Sequence, residues 1–197
     1  MRSITTLLIS AILALGCNSH PPGDTRRVEV VIETGEGDIE IELYGDKAPV
    51  STKAFLAVLD RKLYENSSFY RVLNMDNQAS NSPKAELLQG GLWSRRKKRP
   101  ELPKVPHEST AVTGLKHLQG TVSFAREEPG SATSEFFICM VDQPGLDFGG
   151  VNNPDGQGYA AFGKVTKGID IIKKIYRKPE YDQYFDPPVP IFSITRK

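Results

Sequence analysis

Cysteine, histidine and net charge are all scarce in this chain, and each scarcity removes a class of protein. Two cysteines in 197 residues, Cys17 and Cys139, lie in unlike surroundings and make a poor disulfide framework. Three histidines, His20, His107 and His117, stand at no metal-ligand spacing from one another or from acidic residues. Lys and Arg (25) nearly cancel Asp and Glu (24), a net charge of +1, so no global field draws in nucleic acid or an anionic membrane. No internal repeat is present. The longest leading apolar stretch, Leu7 to Leu15, is too short to cross a bilayer as a stable helix.

What remains is a chain of ordinary globular composition, 39% hydrophobic and 25% charged. Its length suits one domain with a full core. The N-terminus reads as an address: Arg2 is a minimal positive region, Leu7–Leu15 an apolar region, and Leu13-Ala14-Leu15-Gly16-Cys17 a cleavage segment. A small residue before a cysteine resembles a bacterial lipoprotein signal, although Ala14 stands where such signals usually carry a large aliphatic residue. That resemblance implies cleavage before Cys17, lipidation of its thiol, and a protein anchored at the periplasmic face of a bacterial membrane. An ordinary cleaved secretory signal is the alternative, and both readings take the protein out of the cytoplasm. The expected organisation is a signal at 1–17, a tether at 18–27 and a domain at 28–197.

Within the domain, Val28–Thr34 is rich in β-branched residues and Asp38–Tyr44 alternates polar and apolar, so they predict an antiparallel pair around Gly35-Glu36-Gly37. A helix follows Pro49, with Ser51 or Thr52 as N-cap and Ala54, Phe55, Val58 and Leu59 facing inward. Further strands are expected at 68–73, 120–125, 135–141, 160–165 and 191–195, and a second helix at 169–176. Cys139 falls in the apolar run Phe136–Met140 and reads as a buried strand thiol without chemistry.

Six short motifs in order then resemble one family. The opening Glu33-Thr34…Gly37-Asp38-Ile39 and Ala48-Pro49-Val50-Ser51-Thr52…Phe55 is similar to that of cyclophilins, and Phe69-Tyr70-Arg71-Val72 is similar to their Phe-His-Arg-Val/Ile strand. Gln89-Gly90-Gly91, Gly120–Ala125, Ser134–Ile138 and Phe162-Gly163-Lys164-Val165 resemble their later motifs. The resemblance covers roughly residues 28–196. It implies a closed eight-stranded antiparallel β-barrel capped by two helices, a monomer without cofactor or metal, and peptidyl-prolyl cis-trans isomerase activity on proline-containing segments of exported proteins.

The chemistry so implied needs no nucleophile. An X-Pro bond faces a rotation barrier of roughly 18–20 kcal/mol, and in the twisted transition state the prolyl nitrogen regains its lone pair. A fixed cationic donor that bonds that nitrogen only when it is pyramidal stabilises the transition state differentially. Arginine suits the task because it stays charged and its planar fork can also hold a carbonyl. By resemblance the donor is Arg71, oriented by Gln89, and the proline pocket is walled by Phe137, Leu146 and Leu87 with Ala125 beside it. Phe69, Arg126, Glu135 and Tyr159 complete the implied substrate contacts. If Phe137 faces substrate, strand alternation sends Phe136 and Ile138 to the core.

Several positions depart from the pattern. Met75–Lys84 is a polar insertion between Arg71 and Gln89, and Glu86 stands where a pocket phenylalanine is expected. Glu135 replaces a glutamine, Arg126 an asparagine, Gly145 a tryptophan and Tyr159 a histidine. The expectation is a pocket with a more charged rim, altered peptide preference and lowered activity. A non-catalytic peptide-binding module on the same fold is the rival reading. The run Arg95-Arg96-Lys97-Lys98-Arg99 reads as a solvated loop, with contact to anionic headgroups as the alternative.

Overall fold

A computed structural model describes residues 26–93 and 100–197. Cys17, the leader, most of the expected tether, His20 and the basic run 95–99 lie outside the described residues. Arg27, at the end of that tether, is docked: it pairs with Glu42 at 3.2 Å and Asp46 at 3.1 Å and lies over the Tyr44 ring.

Eight antiparallel strands close into a barrel in the order β1-β2-β7-β5-β6-β4-β3-β8. They are β1 (Val28–Thr34), β2 (Gly37–Leu43), β3 (Ser67–Leu73), β4 (Leu87–Gly91), β5 (Thr121–Phe124), β6 (Phe136–Cys139), β7 (Ala160–Lys167) and β8 (Tyr184–Arg196). Among the described residues three α-helices accompany them: α1 (Pro49–Asp60), the single turn α2 (Thr110–Thr113) and α3 (Ile169–Tyr176). The barrel was expected; α2 is additional to the two expected helices.

Alternation builds the core. Val28, Val30 and Ile32 of β1 and Ile39, Ile41 and Leu43 of β2 point inward while their neighbours stay wetter. Helix α1 contributes Phe55, whose ring lies 5.2 Å from Tyr64, 5.3 Å from Phe162 and 5.7 Å, edge-on, from Phe136. Leu56 is also buried, and Ala54 only partly so. Helix α3 buries Ile172 and Ile175.

Three local expectations change. Helix α1 is capped by neither Ser51 nor Thr52: Pro49 presets the first helical φ, so the helix begins earlier with Ala48 as N-cap. The open first-turn N–H groups of Val50 and Ser51 donate instead to the Glu108 carboxylate, at 3.1 and 2.6 Å. Strand β4 carries Gly90-Gly91, which weakens its strand signature. Strand β8 begins at Tyr184 rather than Ile191, because Pro187, Pro188 and Pro190 mask its first half. Those prolines are tolerated because β8 pairs with β3 up to Ile191, whereas its pairing with β1 covers only Ile191–Arg196.

Candidate active site

Register places the site. Across adjacent strands, Tyr184 of β8 pairs with Arg71 of β3, Arg71 with Gln89 of β4, Gln89 with Phe137 of β6, and Phe137 with Ser123 of β5. Residues far apart in sequence therefore form one row, at the roughly 4.8 Å strand spacing. Over this row lies an open cleft of about 520 Å³. Of the expected residues, Arg71, Gln89, Leu87, Ala125, Arg126, Glu135, Phe137 and Tyr159 line it.

Phe69 does not. Strict alternation would put it beside Arg71, but the pairing of β3 shifts register between them on both flanks. That bulge turns Phe69 into the barrel core, edge-on to Phe136, and leaves Tyr70 and Arg71 on the cleft. Leu146 is likewise withdrawn, lying beneath the cleft in an apolar cluster with Ala85, Leu87, Phe137 and Cys139. Phe136 and Ile138 point into the main core, as the alternation of β6 requires.

A polar chain fixes the guanidinium. The Tyr70 hydroxyl lies beside the Glu135 carboxylate and accepts a bond from Gln89 Nε2 at 2.7 Å. The Gln89 carboxamide oxygen is thereby turned to Arg71, whose Nη1 donates to it at 3.4 Å. Burial, then the neighbouring Glu135 charge, pushes the Tyr70 pKa well up, so its hydroxyl keeps its proton. Tyr70 also stacks on Trp93 at 5.9 Å.

Of the two carboxylates expected to charge the rim, Glu135 lines the cleft and Glu86 does not. Glu135 accepts hydrogen bonds from Leu92 N at 3.1 Å and Ser134 Oγ at 3.0 Å, turned toward backbone. This arrangement needs Gly91: its φ is +142°, and a Cβ there would collide with the Glu135 carboxylate and the Ser134 carbonyl. Glu86 points toward α3 and accepts the Tyr176 hydroxyl at 3.1 Å. Gly145 lies on a 3₁₀ turn, Pro144–Leu146, where the Asn152 carboxamide fills the space a side chain would need.

The apolar bed is braced from below. Phe137 packs edge-on to Tyr159 at 5.2 Å and face-on to the His117 ring at 6.0 Å. His117 is buried; its ring nitrogens meet Asp147 at 2.8 Å and Ser123 Oγ at 3.1 Å. Burial pushes its pKa down despite Asp147, favouring the neutral ring. Cys139 is buried and in no disulfide, with its thiol pKa pushed up by burial. No cluster of potential metal ligands occurs among the described residues.

Sequence reasoning passed over Tyr184, Leu73 and Trp93, which also line the cleft. Arg126 lines it as well, but its side chain is 2% exposed and engaged elsewhere. Its guanidinium meets Asp155 at 2.7 and 2.9 Å and the Gly158 carbonyl at 2.6 Å, lying 5.2 Å over the Tyr159 ring.

A row of arginine, glutamine and phenylalanine above an apolar bed, open along one side of a closed barrel, defines a protein that presents a held cation beside an apolar surface. Comparison with known families specifies the kind. Residues 29–196 match the family described as "Cyclophilin type peptidyl-prolyl cis-trans isomerase/CLD", and the chain belongs to it. It is 37% identical over 147 residues to peptidyl-prolyl cis-trans isomerase B of Escherichia coli, covering 74% of this chain and 82% of that one. It is 36% identical over 174 residues to a peptidyl-prolyl cis-trans isomerase of Acinetobacter baylyi, covering 85% of each. A crystal structure of a Cryptosporidium parvum cyclophilin type peptidyl-prolyl cis-trans isomerase, obtained in the presence of the dipeptide Ala-Pro, shares the fold with a TM-score of 0.68. That match has 24% identity and covers 86% of this chain and 98% of that one. The chain is an enzyme of the peptidyl-prolyl cis-trans isomerase class.

The Arg126–Asp155 clamp carries a pH signature. Hydrogen bonds from Arg126, then from the Gln157 backbone, hold Asp155 at about 2, below its ordinary 3.8. A depressed carboxylate contributes stability that is present above the ordinary value and lost as pH falls through the folded one. The thermal midpoint of the wild type should therefore fall between about pH 4 and pH 2, and more steeply than that of Asp155→Asn. Equal slopes in parallel melts would contradict the clamp.

Proposed function

We propose that the enzyme lowers the X-Pro rotation barrier through Arg71, whose fixed guanidinium donates a hydrogen bond to the prolyl nitrogen as it becomes pyramidal. The observation that carries this is the placement of Arg71, held by Gln89, in one cleft with the apolar bed of Phe137 and Leu87. Phe137, Leu87 and Tyr159 would receive the proline ring in a dry surround, and Ala125 offers backbone on the adjoining strand. A ring seated there cannot turn with the peptide, so rotation falls on the preceding carbonyl, within reach of Gln89 and the guanidinium. Bonding that exists only in the twisted state raises kcat rather than affinity.

The smallest ligand that meets these requirements is a dipeptide ending in proline, such as the one present in the Cryptosporidium parvum structure. The case for a non-catalytic binder rested on a charged rim. Glu86 is bonded to Tyr176 and does not line the cleft, so of that rim only Glu135 remains.

The natural substrates in this reading are X-Pro segments of exported proteins, met at a membrane surface through a lipid on Cys17. Support comes from the leader sequence alone: Arg2, the apolar Leu7–Leu15 and Gly16-Cys17.

Replacing Arg71 with Ala should cut kcat for a proline tetrapeptide by about 10²- to 10³-fold, the range for losing one transition-state donor, with binding little changed. A variant as fast as wild type in an exchange or protease-coupled assay would sink the mechanism. For the anchor, Cys17→Ser expressed in a bacterium should move the protein from the membrane fraction to the soluble one; continued membrane association would contradict lipidation.

A further inference from the structure

The guanidinium of Arg71 has a second holder that no motif announced. Both Nε, at 3.1 Å, and Nη2, at 2.6 Å, donate to the carboxamide oxygen of Gln183, between α3 and β8. Together with the Nη1 bond to Gln89 this engages three of the five guanidinium N–H groups. The remaining two are left for a ligand, and the cation is clamped between two carboxamides 94 positions apart (183 − 89).

Gln183 is itself held from three sides. Its Nε2 donates to the Asn77 carbonyl at 2.8 Å, which forces its oxygen toward Arg71. Its backbone N–H donates to Glu180 at 2.6 Å, and its carbonyl accepts from Val72 N at 2.8 Å. Asn77, within the polar insertion, donates in turn to the Val72 carbonyl at 3.0 Å and to Glu180 at 3.1 Å. The backbone is costly for this residue type: Asp182 and Gln183 have φ of 50° and 73°, closing a tight turn between Tyr181 and Tyr184. Glycine would occupy such a position with less strain. A long side chain kept in a left-handed conformation, with its oxygen aimed at the cation of a cleft, is strain placed at a functional site.

We propose that Gln183 is a positioning residue for Arg71, and that the 75–84 insertion, through Asn77, serves to keep Gln183 aimed at it. This rests on the reading of Arg71 as the transition-state donor. An arginine side chain has several rotatable bonds, and a donor that must meet a nitrogen only at the twisted geometry loses rate when its position is averaged. Clamping two edges of the fork removes that freedom.

The test compares Gln183→Gly, Gln183→Glu and Arg71→Ala in the full chain, measuring kcat and KM on an Ala-Ala-Pro-Phe peptide, the melting midpoint, and the Arg71 Nε–H resonance. Gln183→Gly relieves the turn, so its melting midpoint should stay within about 3 °C of wild type. Its kcat should nevertheless fall about tenfold with KM within about twofold, and the Nε–H signal should lose its protection from exchange. Gln183→Glu keeps an acceptor oxygen at the same reach and should return kcat to within about threefold of wild type. A wild-type kcat in Gln183→Gly alongside a slow Arg71→Ala would overturn the positioning role and leave the Arg71 mechanism standing. Equal losses in Gln183→Gly and Gln183→Glu would mark a structural role and overturn it too. A wild-type rate in Arg71→Ala would overturn both.

Discussion

Where β3 meets β4, Arg71 faces Gln89 across the ladder, and the polarity of that contact is set from a distance. Gln89 Nε2 donates to the Tyr70 hydroxyl, which leaves the carboxamide oxygen turned to the guanidinium. Much of the local architecture answers to this contact. The bulge between Phe69 and Arg71 brings Tyr70 and Arg71 to the cleft together, and Gly91 leaves room for the Glu135 carboxylate.

The apolar half of the site depends on a different constraint, the alternation of β6. Phe136 and Ile138 fill the barrel while Phe137 and Cys139 form the bed beneath the cleft, so one short strand serves both layers. A phenylalanine presented on the outside of a barrel needs support on its hidden face. His117 supplies it, with its ring held by Asp147 on one nitrogen and Ser123 on the other. A satisfied pair of ring nitrogens lets a polar residue act as a flat, rigid backing without leaving buried groups unpaired.

Sequence signals carried the elements whose local chemistry agrees with their place in the barrel. Strand β1 and helix α3 fall on their expected residues, because β-branched runs and helical spacing have no competing signal there. Strand β4 was hidden by two glycines that the site requires, and the first half of β8 by prolines that only a strand half paired on one side can hold. The motifs around Arg71, Gln89 and Phe137 were legible, and register then set those residues in one row. Phe69, expected at the site by resemblance, lies in the core because a bulge turns it inward, and Glu86 leaves the rim because α3 supplies a tyrosine to bond it. Gln183 gave no local signal at all: its role exists only through contacts with a residue 112 positions away.

The chemistry assigned to this site is electrostatic throughout. Arginine stays charged across the physiological range, burial favours the neutral form of His117, and Tyr70 keeps its proton, so the mechanism asks no group to exchange a proton with substrate. The most direct measurement is kcat/KM on a proline tetrapeptide between about pH 6 and 9, in light and heavy water. A flat profile with an isotope ratio near about one is the result this account predicts. A titrating limb within that window, accompanied by a ratio of about two or more, would show proton transfer in the transition state and contradict it.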